Sequence, residues 1–93
     1  MKPYDWDEQK NARLKKEREV SFESVVDAIN QDYLHDTLEH PNKTNFGNQK
    51  IYFVEINDYM YLVPFIEDKD KIFLKTIIPS RKATRRYLKG EKL

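Results

Sequence analysis

The 93-residue chain contains no cysteine, which excludes a disulfide framework, a thiolate zinc site and a cysteine nucleophile. Glycine and proline are also scarce, with two and four residues, so the chain favours compact elements joined by short connections. No apolar run approaches the roughly 20 residues of a membrane helix, and the N-terminal segment lacks the hydrophobic core of a secretion signal. We therefore expect a single domain over residues 1–93 that is soluble and cytoplasmic.

The net charge of +1 conceals a strongly polarised chain. Residues 1–40 carry six basic and ten acidic side chains, and residues 41–68 carry two basic and four acidic ones. Residues 69–93 carry nine basic and only two acidic side chains. A domain with one basic end attracts polyanions there. Nucleic acid and an acidic protein are the partner classes that fit this charge, and a solvated basic helix without a partner also explains it.

Two helices are predicted in the N-terminal third of the chain. Residues 5–18 favour a helix in which Asp5 is the N-cap and Glu8, three positions later, completes a capping box. Residues 21–31 favour a second helix with Ser21 as its N-cap. Apolar residues recur there with helical spacing at Phe22, Val25, Val26 and Ile29. The short break between the two segments makes them a helical hairpin.

The middle of the chain is predicted to form strands joined by short connections. Residues 33–38 are a weak strand candidate, and residues 41–48 read as a polar loop. Residues 50–56 and 59–66 are stronger candidates, and the Asn57-Asp58 pair between them is typical of a two-residue hairpin turn.

The last predicted strand covers residues 71–78 and ends at Pro79. Its alternation places Ile72 and Leu74 on one face and Ile77 on the other. In the strand before it, Pro64 cannot donate to the sheet ladder, which predicts a position at an edge or a bulge.

Residues 81–89 are predicted to form a short helix that ends at Gly90. The predicted fold class is therefore α+β, with two N-terminal helices, a four-stranded antiparallel meander and a short C-terminal helix. We expect the helices to pack on one side of the sheet, because the apolar stripe of the second helix needs a sheet face to cover.

Motifs for familiar enzyme chemistry are missing from the sequence, which has no P-loop, no GxGxxG and no HExxH. The spacing of His35 and His40 does not favour a shared metal site, and each is interpreted as a surface residue. The carboxylates fall at predicted helix caps and turns, so no acid–base pair is assigned. The sequence thus predicts neither a metal nor a cofactor.

The basic C-terminal segment is the remaining candidate for chemistry. Arg81 and Arg85 lie four residues apart, as do Lys82 and Arg86, so a helix would carry them as two adjacent ridges. Guanidinium groups bind phosphate oxygens in two-point contacts. Such a set fits an RNA backbone and the charge of a pentavalent phosphorane. Tyrosines that could stack on unpaired bases, or else cover a sheet face, are Tyr52, Tyr59, Tyr61 and Tyr87.

Two stretches of the chain together resemble BrnT-type toxins. Residues 6–10, WDEQK, followed by residues 20–23, VSFE, are similar to the N-terminal pattern of that family, and residues 77–86, IIPSRKATRR, are similar to its C-terminal segment. The resemblance spans nearly the whole chain and implies a RelE-like fold. It implies a metal-independent ribonuclease toxin of a type II toxin–antitoxin pair, in which the RNA 2′-hydroxyl attacks the adjacent phosphate and translation is blocked. It also implies a small DNA-binding antitoxin as partner.

The resemblance also implies roles for single residues. The candidate catalytic residues are Lys10, Lys75, Arg81 and Arg85, and the candidate RNA-binding residues are Lys82, Arg86 and Lys89. One departure from the family pattern is the segment Glu17-Arg18-Glu19, which stands where relatives carry Lys-His-Gly. Two other hypotheses therefore remain open: a non-catalytic basic module that binds RNA or a protein, and a degenerate toxin that acts only in a repressing complex.

Overall fold

The structure is a computed structural model that describes residues 2–39 and 49–90, so the loop predicted over Pro41–Asn48 and the residue His40 lie outside it. In chain order the elements are β1 (Tyr4–Asp5), α1 (Glu8–Arg18), α2 (Phe22–Asn30), β2 (Leu34–Glu39), β3 (Gln49–Ile56), β4 (Tyr59–Glu67), β5 (Ile72–Leu74), β6 (Ile78–Pro79) and α3 (Arg81–Ala83). A π-helical turn, Thr84–Leu88, continues α3, and we call the two together the C-terminal helix. The α+β class predicted from the sequence is confirmed.

Within residues 2–39 and 49–90 the sheet is mixed and six-stranded, so the four strands predicted as an antiparallel meander are part of a larger sheet with two further short strands. Its order is β1-β5-β4-β3-β2, and β6 also pairs with β4. β1 runs parallel to β5, with Tyr4 opposite Ile72, whereas the other pairs are antiparallel. The predicted hairpin between β3 and β4 is confirmed. Asn57 and Asp58 both have positive φ, 53° and 62°, which is the backbone of a type I′ hairpin turn.

The first helix begins later than predicted, because residues 4–5 pair with β5. The N-cap is Asp7, whose side chain accepts hydrogen bonds from the backbone N–H groups of Gln9 at 2.8 Å and Lys10 at 3.1 Å. Asp5 instead forms an ion pair with Lys71 at 3.1 Å. The predicted Asp5 cap is therefore wrong, and a strand partner far along the chain is the reason.

The predicted strand over residues 71–78 is divided by an irregular segment, residues 75–77. The break lies opposite Pro64 of β4, whose carbonyl accepts from the backbone N–H of Lys75 at 2.8 Å. Pro64 is not at an edge, since β4 pairs with β3 on its other side. Its missing N–H interrupts the neighbouring strand instead. Because of this break, Ile77 is buried in the same core as Leu74. The prediction that Ile77 and Leu74 lie on opposite faces of one strand is therefore wrong.

One face of the sheet carries the main hydrophobic core, under α1 and α2. Phe22 and Val25 of α2 are fully buried, which confirms the apolar stripe predicted for that helix. The ring of Tyr52 stacks on Phe65 at 3.9 Å between centroids. The remaining buried members of this core include Leu14, Val20, Val54, Val63, Ile72 and Leu74.

The C-terminal helix lies on the opposite face of the sheet, so the prediction that all helices share one side is wrong. Its start is bound to the edge of β4, where Ser80 N–H donates to the Met60 carbonyl at 3.0 Å and Met60 N–H donates to Thr84 Oγ1 at 2.9 Å. Its end reaches β2, where the Tyr87 hydroxyl donates to Asp36 Oδ2 at 2.8 Å. The second face is apolar at alternate strand positions and therefore also needs a cover.

Candidate nucleic-acid interface

The C-terminal helix presents its cations outward because its small residues face inward. Ser80 is the N-cap and accepts from Ala83 N–H at 3.0 Å. Ala83 and Thr84 are 5% and 4% exposed, and Thr84 Oγ1 donates to the Ser80 carbonyl at 2.8 Å. With this side of the helix buried, its basic side chains are all exposed: Arg81, Lys82, Arg85, Arg86 and Lys89.

A groove of about 260 Å³ runs between this helix and the sheet, and we call it the helix–sheet groove. Its sheet side is apolar, and its helix side carries cations. The residues that line it are Leu38, Phe53, Leu62, Ser80, Lys82, Ala83, Arg86 and Tyr87. The ridge of Lys82 and Arg86, predicted from their four-residue spacing, thus borders an apolar and aromatic surface. Arg81 and Arg85 are also exposed on this helix but are not among the residues that line the groove.

Tyr87 is held in a fixed orientation at this groove. Its ring lies 5.5 Å from the Phe53 ring between centroids, and its hydroxyl donates to Asp36. Burial and the Asp36 carboxylate raise the pKa of Tyr87, so the hydroxyl stays protonated. The Arg86 guanidinium carbon lies 5.9 Å from the centroid of the Tyr87 ring, within the range of a cation–π interaction. An aromatic surface and a cation are therefore adjacent here.

The candidate catalytic residues Lys10 and Lys75 lie together, away from the groove. Lys10 Nζ donates to the Lys75 carbonyl at 3.1 Å, and Arg18 Nη1 donates to the Ile77 carbonyl at 2.7 Å. These bonds tie α1 to the irregular segment 75–77, on the side of the sheet opposite the C-terminal helix. Arg81 and Arg85 lie on the C-terminal helix instead, and none of the four predicted catalytic residues lines the groove.

A polar cluster that sequence reasoning missed adjoins the groove through Tyr87. His35 Nε2 lies 2.9 Å from Glu55 Oε1, and the His35 ring meets the Tyr87 ring edge-on at 6.0 Å. His35 is exposed, as predicted from the sequence, but its pairing with Glu55 was not predicted. A register irregularity between Leu34 and Asp36 of β2 decides where His35 points, and no local pattern predicts such an irregularity.

The N-terminal motif of the resemblance builds the helical hairpin. Trp6 stacks on Phe22 with 5.6 Å between ring centroids. Asn11 Oδ1 accepts from Phe22 N–H at 2.8 Å, and Asn11 Nδ2 donates to Glu23 Oε1 at 2.7 Å, which lowers the pKa of Glu23. These contacts give residues 6–23 a role in folding, so the C-terminal motif is the stronger candidate for binding.

Comparison of the chain with protein-family models, with curated proteins and with solved structures found no match. Within residues 2–39 and 49–90, no three metal-ligating side chains lie together. Over the same ranges, no helix has the length and apolar character to cross a membrane. The features of the chain that bear on its function are therefore the groove, the cations and the two sequence motifs.

Proposed function

We propose that this chain binds single-stranded RNA at the helix–sheet groove and cleaves it, as a BrnT-type toxin of a type II toxin–antitoxin pair. The observation that carries the proposal is the juxtaposition of Phe53 and Tyr87 with Lys82 and Arg86 around one groove. Unpaired RNA presents both groups that such a surface recognises, the face of a base and a phosphate. A duplex presents its phosphates but hides the faces of its bases.

The second ridge of cations supports the cleavage step. Arg81 and Arg85 are exposed on the helix beside the groove, so a strand whose base occupies the groove passes within reach of both guanidinium groups. When the 2′-oxygen attacks phosphorus, negative charge grows on the non-bridging oxygens. Positioned guanidinium groups stabilise that charge through two-point hydrogen bonds. The ribonuclease part of the proposal draws further support from the C-terminal motif of the resemblance.

The same surface is suited to the implied partner. A small DNA-binding antitoxin with an acidic segment would neutralise the cations of the C-terminal helix and exclude RNA from the groove. We propose in addition that the sheet and its helices form a RelE-like fold and that the protein acts in the cytoplasm.

A second candidate function, binding without cleavage, has one observation in its favour. The Lys10 ammonium is occupied by the Lys75 carbonyl, and Arg18 is occupied by the Ile77 carbonyl. Both cations therefore have a structural use that needs no reaction. In this case the chain would hold RNA, or act within a repressing complex, and leave the phosphodiester intact.

Binding to a fluorescein-labelled single-stranded RNA, followed by anisotropy, tests the interface. We expect the Arg81→Ala/Arg85→Ala variant to bind at least about tenfold more weakly, because a bond between charged partners contributes roughly 1.5–3 kcal/mol. The matched control is Lys15→Ala/Lys16→Ala, which removes two charges from α1. Loss of two phosphate contacts should also reduce the salt slope of log K by about 1.4. Equal weakening in both variants would contradict a located interface.

Cleavage of the same RNA on a denaturing gel separates the two candidate functions. The ribonuclease proposal predicts fragments that end in a 2′,3′-cyclic phosphate and a 5′-hydroxyl, formed in the presence of a chelator. Tight binding without fragments would favour the non-catalytic function.

A further inference from the structure

His35 and Glu55 form a hydrogen-bonded pair on adjacent strands, on the face of the sheet that carries the C-terminal helix. The Nε2–Oε1 distance is 2.9 Å, and the two side chains are 28% and 17% exposed. The pair is thus partly shielded from water but open to a ligand. Nothing in the packing of the core requires an imidazole at this position.

The pairing determines which nitrogen of His35 is available for chemistry. A carboxylate can only accept a hydrogen bond, so Glu55 requires the proton of the neutral ring to be on Nε2. The lone pair then lies on Nδ1. A histidine that is oriented by a carboxylate in one tautomer is the arrangement that general-base catalysis needs.

Tyr87 connects this pair to the groove. One contact of its ring is with His35, edge-on at 6.0 Å, and another is with Arg86 at 5.9 Å. Arg86 and Tyr87 both line the helix–sheet groove, and the His35–Glu55 pair adjoins the groove through its contact with the Tyr87 ring. The hydroxyl of Tyr87 donates its hydrogen bond to Asp36, so the Tyr87 hydroxyl and the Asp36 carboxylate are already paired with each other.

We propose that His35 is the general base of RNA cleavage in this chain and that Glu55 is its positioning residue. The inference rests on the proposed ribonuclease function. Nδ1 takes the proton of the 2′-hydroxyl as the 2′-oxygen forms its bond to phosphorus. The bond from phosphorus to the 5′-oxygen breaks, and that oxygen leaves with a proton from water. The water recovers its proton from the imidazolium, so atoms and charges balance without a co-reactant.

The test compares variants in cleavage of a single-stranded RNA under single-turnover conditions, with binding measured separately by anisotropy. His35→Gln keeps a donor for Glu55 but has no base, and Glu55→Gln keeps a hydrogen bond but no longer fixes the tautomer. We expect His35→Gln to lower the cleavage rate at least about 100-fold, the usual range for loss of a general base. The dissociation constant for RNA should stay within twofold of wild type.

Chemical rescue distinguishes a catalytic from a structural role. Imidazole added to His35→Ala should restore cleavage in proportion to its concentration, whereas it should not restore Arg81→Ala/Arg85→Ala. A structural histidine would not respond in this way. His35→Gln that cleaves at the wild-type rate, or His35→Ala that stays inactive at high imidazole while folded and RNA-bound, would overturn the inference and leave the ribonuclease proposal standing. Wild-type protein that binds RNA without cleaving it would overturn both.

Discussion

Replacing Asn11 with alanine should destabilise the fold more than any exposed substitution on the same helices. Asn11 is 2% exposed, and it both accepts from Phe22 N–H and donates to Glu23. The variant leaves the Phe22 N–H buried without a partner, which costs roughly 1–3 kcal/mol. Loss of the bond to the exposed Glu23 adds less, so we expect a total of about 2–3 kcal/mol. At roughly 4–8 °C per kcal/mol for a domain of this size, the melting temperature falls by about 10–20 °C.

Urea unfolding is the assay for this prediction, because the single tryptophan of the chain is a local probe. Trp6 stacks on Phe22, so its fluorescence reports the helical hairpin, while circular dichroism at 222 nm reports the helices as a whole. The matched control is Asn30→Ala, the same replacement at an exposed helical position, with an expected change within about 0.5 kcal/mol. A loss below about 0.5 kcal/mol for Asn11→Ala would show that this side chain does not join the two helices.

Three further predictions follow from single contacts. Tyr87→Phe removes the hydrogen bond to Asp36 and should cost about 0.5–1.5 kcal/mol in urea unfolding, with RNA binding weakened because the ring is less well fixed. Lys10→Met removes the bond to the Lys75 carbonyl and should cost about 1 kcal/mol, and a loss of cleavage far beyond that effect would support a catalytic role. Burial raises the pKa of Tyr52 above that of an unfolded tyrosine. The stability that the buried Tyr52 hydroxyl contributes is therefore complete below about pH 10 and is lost at higher pH. Between about pH 8 and 11, the melting temperature of Tyr52→Phe should fall less steeply than that of the wild type.

Local patterns predicted the parts of the fold that depend on local interactions. The stripe of α2 and its Ser21 cap were predictable, because the helical period and the cap both lie within a few residues. The turn at Asn57-Asp58 was predictable for the same reason. β1 was not, since Tyr4 and Asp5 become a strand only through pairing with β5 at the other end of the chain.

The same distinction explains what the sequence revealed of the candidate site. The two cationic ridges follow from four-residue spacing on one helix. The groove beside them requires the helix to cross β4, β3 and β2 on the second face, which depends on contacts such as Tyr87 with Asp36. His35 and Glu55 meet only because of the register between β2 and β3. The spacing of apolar residues along one strand does not predict that register.

Whether this chain is a ribonuclease toxin can be tested by tightly repressed expression in a bacterial host, followed over minutes by growth and by primer extension on abundant transcripts. We expect rapid growth arrest with new 5′ ends in the transcripts, and neither effect with the Arg81→Ala/Arg85→Ala variant at equal levels of folded protein. Lys15→Ala/Lys16→Ala should behave as wild type. Normal growth and intact transcripts with folded wild-type protein, in the absence of any antitoxin, would contradict the claim that this chain is a ribonuclease toxin.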